Sequence, residues 1–356
     1  MDKVTATLSL EKIKSIGGEG KNSEVYIAKD SQLDALLVAK EITKKSLDKQ
    51  QVKNYFLEAQ MLNAANHPHI MPVRYAAQDE DKIYITMPYY EKGSINSLIN
   101  NRMLTVREII KYSLDFLSGL LFIHIKGMLH LDVKPTNIII NDSDRALLTD
   151  FGLSRYLNEY GLAEQELGYV KHISPQYLET TSRTVQDDIY QAGLTLYRMC
   201  NGNGELDKQY ALYFQDGCID GPRFGQAVMN EEFPNRKFYL PHIPKKLRDI
   251  VTKALYTDVS KRYLTVLDMI NDLSVIDENL DWQYNYNKEE NICSWFFENA
   301  NNTYTLSLCE VNGNYATSGI RYLKKSRKTN NVSKWRKNYT SLESAYKEIE
   351  KFLKEV

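Results

Sequence analysis

The 356-residue chain contains 43% hydrophobic and 26% charged residues, a composition that predicts folded domains rather than a disordered chain. Its formal net charge of −1 gives no global attraction to nucleic acid or to a membrane surface. No apolar run approaches the roughly 20 residues that span a bilayer, and Asp2, Lys3 and Glu11 interrupt the apolar stretch that a signal peptide needs. The four cysteines lack zinc-ligand spacing. We therefore expect a cytoplasmic protein with free thiols and no membrane insertion.

The first 90 residues have the pattern of short strands around one helix. Residues 25–28 and 36–39 are strand-like, and Asp30-Ser31 supplies turn chemistry between them. Residues 48–64 carry apolar side chains close to the helical period, which predicts a helix. A further strand is predicted over residues 83–87.

The pattern then becomes helical, beginning with residues 109–124 and continuing to about Ser274. Beyond Asp277 it changes again. Residues 303–311 alternate in the strand period, and a turn signal at residues 312–314 leads into a return strand over 315–323. A capping-box pattern at residues 340–343 predicts the start of a final amphipathic helix.

The most specific motif is His130-Leu131-Asp132-Val133-Lys134-Pro135-Thr136-Asn137, followed by Asp150-Phe151-Gly152. These segments resemble the catalytic loop and the DFG element of protein kinases. By this resemblance Asp132 accepts or orients the proton of the substrate hydroxyl, and Lys134 neutralises charge on the transferred phosphate. Asn137 and Asp150 would ligate Mg²⁺. Each residue alone is common in turns, but the two motifs in this order favour the kinase interpretation.

Two upstream residues fit the same family. Val38-Ala39-Lys40 resembles the strand that carries the kinase lysine, and Glu58 lies on the predicted helix that follows. The resemblance implies a Lys40–Glu58 ion pair that holds the ammonium on the α- and β-phosphates of ATP. Taken alone, the two residues would be ordinary surface charges.

The loop that covers the phosphates is a weaker match to the glycine-rich pattern of the family. It follows Ile16 and contains Gly18 and Gly20, but Ser23 replaces the third glycine, before Val25. Serine is small, so backbone N–H groups of the loop can still face the phosphates.

The resemblance also implies an adenine site. Met87 corresponds to the gatekeeper, and the carbonyl of Pro88 and the amide of Tyr90 would bind adenine. Proline keeps its C=O, so it can serve as the acceptor. The side chains of Val25, Ala39 and Ile139 would sandwich the ring, although all three also fit as plain core residues.

Later segments extend the match to about residues 10–275. Ser174-Pro175-Gln176 stands where the family has Ala-Pro-Glu, and residues 258–262 resemble its late DPxxR element. Gln176 would give Arg262 a neutral acceptor. The family implies an α+β, bilobal protein kinase fold with a β-rich N-lobe at residues 1–88 and a helical C-lobe at 89–276. A small β-hairpin and helix domain would occupy residues 277–356.

The form of the catalytic loop, with Lys134 two residues after Asp132, favours an ATP- and Mg²⁺-dependent Ser/Thr kinase that acts on protein substrates. Leu131 replaces the arginine that receives an activation-segment phosphate in many kinases. Between Leu153 and Ile173 the only Ser or Thr is Ser154. We therefore hypothesise that phosphorylation of Ser or Thr in this segment does not switch the activity. Tyr169 replaces a usual threonine near the catalytic residues.

The C-terminal region has a basic stretch, uninterrupted by Asp or Glu, made of Arg321, Lys324, Lys325, Arg327, Lys328, Lys334, Arg336 and Lys337. It could contact nucleic acid or an acidic protein, or it could be a solvated loop. Two further alternatives stay open from the sequence. The chain could be a pseudokinase that binds nucleotide as a scaffold, or a nucleic-acid binder regulated by its kinase region.

Overall fold

A computed structural model describes residues 7–17, 23–44, 56, 60, 66–166 and 168–356. Its first region is an antiparallel sheet with the strand order β1-β2-β3-β5-β4. The strands are β1 (Leu10–Gly17), β2 (Ser23–Asp30), β3 (Ala35–Thr43), β4 (Tyr75–Gln78) and β5 (Lys82–Pro88). The turn after β2 depends on the Asp30 carboxylate, which accepts hydrogen bonds from the N–H groups of Gln32 (2.8 Å) and Leu33 (2.9 Å). The strands and turn predicted here are confirmed, whereas most of the predicted helix over residues 48–64 lies outside the described residues.

The second region is mainly helical, as predicted. Its helices are α1 (Ile95–Asn101), α2 (Val106–Ile125), α3 (Val185–Asn201), α4 (Asn203–Ala211), α5 (Gly221–Met229), α6 (Lys245–Ala254) and α7 (Val266–Ser274). The helix α2 begins at a capping box in which Thr105 and Glu108 satisfy each other's backbone N–H groups. From Asp187 to Asn201 every residue of α3 is buried, so this helix forms the centre of the core.

Short paired strands connect the helices and position the loops between them. They are β6 (Met128–Leu129), β7 (Ile138–Ile140), β8 (Ala146–Leu148), β9 (Arg155–Tyr156), β10 (Ala163–Glu164), β11 (Ser182–Arg183), β12 (Phe214–Gln215) and β13 (Cys218–Ile219). The β7–β8 hairpin separates the two catalytic motifs, and β6 pairs with β9. These pairings bring the segments before the first motif and after the second motif side by side.

The third region is an antiparallel sheet covered on one face by a helix. The strands are β14 (Gln283–Asn287), β15 (Ile292–Glu298), β16 (Asn302–Val311), β17 (Asn314–Leu323), β18 (Lys328–Asn331) and β19 (Lys337–Tyr339), and the helix is α8 (Leu342–Leu353). Both β18 and β19 pair with the outer edge of β17. The predicted hairpin is β16–β17; Asn312 and Gly313 at its turn have φ angles of 52° and 77°, as a type I′ turn requires.

Two details of the C-terminal prediction need correction. The sheet has four strands more than the predicted hairpin, namely β14, β15, β18 and β19. The predicted capping box does not form, because the N-cap is Ser341 and its side chain accepts from the N–H of Ser344. Glu343 instead pairs with Lys347 at 2.7 Å on the exposed face of the helix.

The third region is packed on the helical one through polar and aromatic contacts. Arg107 donates to both oxygens of Asp281, at 2.6 and 2.8 Å. The fully buried His242 ring stacks on Tyr284, and its Nδ1 accepts from the indole N–H of Trp295 at 3.3 Å. The predicted α+β bilobal architecture with an added C-terminal region is therefore confirmed, while the proposed boundaries at residues 88 and 276 stay predictions.

Two expectations about membrane and thiol chemistry can also be compared with the structure. All four cysteines lie in the described part of the chain, and each is a free thiol. Among the described helices, none combines the length and the apolar character that crossing a bilayer requires.

We predict that Gly319→Ala destabilises the C-terminal sheet. A methyl group at this position of β17 would overlap the fully buried Trp335 ring, which packs against the rings of Trp282 and Phe352. Overpacking of this kind costs about 1–3 kcal/mol. Urea unfolding followed by tryptophan fluorescence would measure the loss, since all three tryptophans lie in this region. The neighbouring exposed Ser318→Ala is the control, and equal stability of the two variants would contradict the prediction.

Candidate active site

A cleft of about 500 Å³ lies between the five-stranded sheet and the helical region. Its walls come from β1, β2, β3 and β5 on one side and from the catalytic motifs on the other. The lining includes these residues predicted from the sequence: Ile16, Val25, Lys40, Met87, Pro88, Tyr90, Asn137, Ile139 and Asp150. Val38, Met71 and Thr149 also line the cleft and were not predicted.

One predicted lining residue is wrong. Ala39 does not line the cleft; it is fully buried on the other face of the sheet, against Tyr26 and Ala28. Successive side chains of a strand point to opposite faces, so the residue that shares the face of Lys40 is Val38.

Of the other residues predicted near the phosphates, the structure describes Ser23 but not Gly18, Gly20 or Glu58. Ser23 is the first residue of β2, where it pairs with Ile42, and it is not among the residues that line the cleft. Gly18, Gly20 and Glu58 lie outside the described residues. Their predicted roles stay predictions.

The strand lysine and the DFG aspartate meet in the cleft. The Nζ of Lys40 lies 2.8 Å from Oδ1 of Asp150. Burial by itself raises the pKa of the Asp150 carboxyl, but the charge and hydrogen bond of Lys40 outweigh it and lower the pKa below its ordinary value. Asp150 has a φ of 63°, a left-handed conformation that is uncommon for a residue with a side chain and turns the chain at this point.

Asp132, Lys134 and Asn137 form a second charged group, of which Asn137 lines the cleft while Asp132 and Lys134 lie behind the lining residues. The buried Asp132 carboxylate receives a hydrogen bond from Nδ2 of Asn137 (2.8 Å) on Oδ2, and Nζ of Lys134 lies 3.0 Å from the same oxygen. The Asn137 amide also donates to the carbonyl of Asp132 at 3.0 Å. Burial raises the pKa of Asp132 to about 6, although Lys134 opposes the shift. Within the described residues, nothing hydrogen-bonds the buried Oδ1 of Asp132.

Two polar side chains of α3 hold the catalytic loop in shape. The Asp188 carboxylate accepts from the backbone N–H groups of His130 (2.8 Å) and Leu131 (2.7 Å). Gln191 accepts from the N–H of Val133 at 2.9 Å and donates to the carbonyl of Leu131 at 3.0 Å. Both are fully buried, so these bonds replace the water that the loop backbone would otherwise need.

Leu131 points away from the cleft. With a φ of 63° it directs its fully buried side chain into an apolar cluster with Leu129 and Ala163, to which Leu153 and Leu157 also pack. Leu131 stands where many kinases have an arginine. Here it joins the catalytic loop to the following segment by apolar contact. Ser154 is buried as well, and its hydroxyl donates to the carbonyl of His130 at 3.2 Å.

Tyr169 lies beside the catalytic lysine. Its ring centre is 4.6 Å from Nζ of Lys134 and 5.8 Å from the ring of His172. His172 is in turn held by Nη1 of Arg198 at 3.0 Å, and Arg198 donates to Asn203 at 2.8 Å. The sequence indicated the unusual tyrosine but not this buried support, because its members are distant in the chain.

The interaction predicted for Gln176 is confirmed. The Gln176 side-chain oxygen accepts from Nη2 of Arg262 at 2.8 Å, and its amide donates to the carbonyl of Thr257 at 3.1 Å. An ionised carboxylate has no N–H and could not donate to the carbonyl of Thr257. Glutamine therefore links the end of the activation segment to both Arg262 and Thr257.

Comparison with known proteins supports the resemblance stated from the motifs. Residues 10–272 match the family model described as "Protein kinase domain". The chain is 27% identical over 267 residues to the probable serine/threonine-protein kinase PknB of Lactococcus lactis, a match that covers 74% of this chain and 41% of that protein. It is 27% identical over 265 residues to the serine/threonine-protein kinase PrkC of Bacillus subtilis, covering 73% and 39%. It is 25% identical over 251 residues to the myosin light chain kinase A of Dictyostelium discoideum, covering 69% and 81%.

The matches with the two bacterial relatives span about two fifths of each relative's length. Both matches also cover about three quarters of this chain, and the family model ends at residue 272, before the C-terminal sheet begins. The relatives named above are all called kinases, so the pseudokinase alternative has no support among them.

We predict that Gln191→Ala lowers the free energy of unfolding by about 2–4 kcal/mol. The truncation leaves the N–H of Val133 and the carbonyl of Leu131 without this partner in the core, and an unsatisfied buried group costs about 1–3 kcal/mol. Urea unfolding monitored by circular dichroism would measure the change. Gln226→Ala, at an exposed position of α5, is the matched control. A loss below 1 kcal/mol would show that the loop does not depend on Gln191.

Proposed function

The chain belongs to the protein kinase family, and on that premise we propose that it transfers the γ-phosphoryl group of ATP to Ser or Thr hydroxyls of protein substrates. The observation that carries this proposal is a pair of neighbouring charged groups at one cleft. Lys40 with Asp150 forms the group that lines the cleft, and Asp132 with Lys134 forms the other, which is joined to the cleft wall through Asn137.

In the proposed step, the oxygen of the substrate hydroxyl attacks the γ-phosphorus. The bond from that phosphorus to the oxygen bridging to the β-phosphate breaks, ADP leaves, and the hydroxyl proton passes to Asp132. Oδ2 of Asp132 is occupied by Lys134 and Asn137, so we assign proton acceptance to Oδ1. A pKa of about 6 leaves the Asp132 carboxylate ionised at neutral pH yet more basic than an ordinary aspartate, which suits a general base.

The donor set also fits a magnesium–nucleotide complex. Mg²⁺ prefers oxygen ligands and is commonly bound through one or two carboxylates together with substrate phosphates. The Asp150 carboxylate, whose lowered pKa keeps it ionised, and the side-chain oxygen of Asn137 would hold the ion at the cleft. Bound there, the ion would supply positive charge that neutralises the phosphates. Lys40 would add a cation from the opposite wall.

Three features support Ser or Thr as the acceptor and protein as the substrate class. Lys134 has the position typical of Ser/Thr kinases, and the bacterial relatives are called serine/threonine-protein kinases. The exposed part of Tyr169 beside Lys134 would form a wall of the acceptor site. We further propose that residues 1–88 and 89–276 act as the two kinase lobes and that residues 277–356 form an appended domain.

The apolar contacts of Leu131 support a kinase that needs no phosphate on its activation segment. A phosphate at that place would meet leucine and alanine side chains instead of an arginine. Ser154 is buried and hydrogen-bonded, so it is a poor site for modification.

We predict that treating the purified protein with a broad-specificity phosphatase leaves its kinase activity within about twofold of the untreated protein. The measurement is transfer of labelled phosphate from ATP to a protein substrate, with mass spectrometry confirming that residues 153–173 carry no phosphate. The Ser154→Ala variant should likewise keep its kinase activity within about twofold of the unmodified protein. Loss of activity on dephosphorylation, regained when a site in this segment is phosphorylated again, would contradict the prediction.

We predict that Asp132→Ala lowers the rate of phosphoryl transfer by roughly 10² to 10⁴, as expected when a general base is lost. In the unmodified protein, kcat/KM should fall about tenfold per pH unit below about pH 6, because the Asp132 carboxylate becomes protonated there. Labelled-phosphate transfer with Mg²⁺ measures both effects, and Asp142→Ala, at an exposed position, is the control. Equal rates in the Asp132→Ala and Asp142→Ala variants would contradict the assignment of the base.

A further inference from the structure

Part of the basic stretch of the C-terminal region lies at the outer edge of its sheet. Lys325 and Arg327 lie in the turn from β17 to β18, and Lys328 begins β18. Arg336 directly precedes β19, which pairs with the same side of β17. We call these four residues the edge cations; Arg321 is not one of them, because it lies on the inner strand β17, opposite Tyr304 on the face that α8 covers. Every residue from Lys325 to Asn331 is solvent-exposed, so this edge hairpin is accessible.

The structure separates the basic residues into two sets. Three lysines are neutralised within the domain: Lys324 by Glu298, Lys334 by Glu355 and Lys337 by Glu348. For the edge cations, no carboxylate of the described chain lies within ion-pair distance. The sequence contains no Asp or Glu from residue 312 to 342, so the edge hairpin carries a locally unbalanced positive charge.

The sheet face that α8 leaves open carries several hydroxyl groups and one carboxylate, that of Glu298, which pairs with Lys324. α8 covers the opposite face, which carries Leu306 and Leu308. The alternation of β16 and β17 puts Thr303 and Thr305 on the open face, opposite Tyr322 and Ile320 respectively. Tyr322 is 37% exposed and lies opposite Thr329 of β18, so its ring is available for contact beside the edge hairpin.

We propose that this edge hairpin and the adjoining open face bind the phosphate backbone of a nucleic acid. Arg, Lys and Thr side chains are common phosphate contacts, and β-ribbons and sheets are established nucleic-acid-binding elements. An exposed aromatic ring on a sheet can stack on a base. A protein partner would need an apolar anchor in a pocket, but the exposed apolar side chains of this face, Phe296 and Ile320, stand apart on either side of Thr305. The acidic-protein alternative is therefore the weaker one.

The experiment measures binding of the full chain to labelled 20-nucleotide probes by fluorescence anisotropy across a range of salt concentrations. If four phosphates are neutralised, log K should fall against log salt with a slope of about −3.6 for duplex DNA, and slightly less steeply for single-stranded RNA. The two probes distinguish a duplex site from a single-strand site. Stronger binding of the single strand, reduced roughly tenfold by Tyr322→Ala, would assign a stacking role to that ring.

The decisive variant is K325Q/R327Q/K328Q, which removes three edge cations from exposed positions. We expect the slope to fall to about −1 and the affinity at 50 mM salt to fall by at least tenfold. The matched control is K208Q/R223Q/K237Q, which removes three exposed cations from the helical region with the same change in net charge. Circular dichroism would verify that both variants are folded.

The proposal is overturned if neither probe binds at 50 mM salt, or if the two triple variants lose affinity equally. It is also overturned if poly-glutamate of matched charge binds the edge hairpin as tightly as the nucleic acids, since the site would then serve an acidic protein. None of these readouts depends on phosphoryl transfer, so the test is independent of the proposed kinase activity.

Discussion

The arrangement of the active site depends on one buried carboxylate at the start of α3. Asp188 accepts from two successive backbone N–H groups, those of His130 and Leu131, and also contacts the ring of His124 at 2.8 Å. These bonds hold Leu131 in its left-handed conformation, which sends its side chain into the apolar cluster. The same anchoring thus fixes the backbone on either side of Leu131 against the core, directly before Asp132.

Two aspartates at the site have pKa values shifted in opposite directions. Asp150 lies against Lys40, and its pKa is lowered although it is partly buried. The pKa of Asp132 is raised, because burial outweighs the nearby Lys134. The two roles proposed for these carboxylates, metal ligand and proton acceptor, therefore fit the difference between their neighbours.

The sequence predicted the architecture, and it predicted Lys40, Asn137 and Asp150 as residues of the cleft, because these polar residues occur in the fixed order of the kinase motifs. It was less successful where the outcome depends on tertiary context. Ala39 and Val38 are both small and apolar, and only the alternation relative to Lys40 decides which of them faces the cleft. Gln191 has no local pattern, since its partners lie in a loop about 60 residues earlier.

The C-terminal sheet shows the same limit. The β16–β17 hairpin had alternation and a turn signal, whereas β14, β18 and β19 are short and largely polar, so no hydrophobic period marks them. They are strands because β15 and β17 provide hydrogen-bonding edges beside them.

The packing of His242 against the C-terminal sheet has a consequence for how the two parts of the chain can evolve. Burial lowers the pKa of His242 to about 3, so the imidazole is neutral and can accept from Trp295 while it stacks on Tyr284. Substitutions on the two sides are therefore coupled, because changing the ring or the indole alone leaves the other group's buried polar atom without this hydrogen bond.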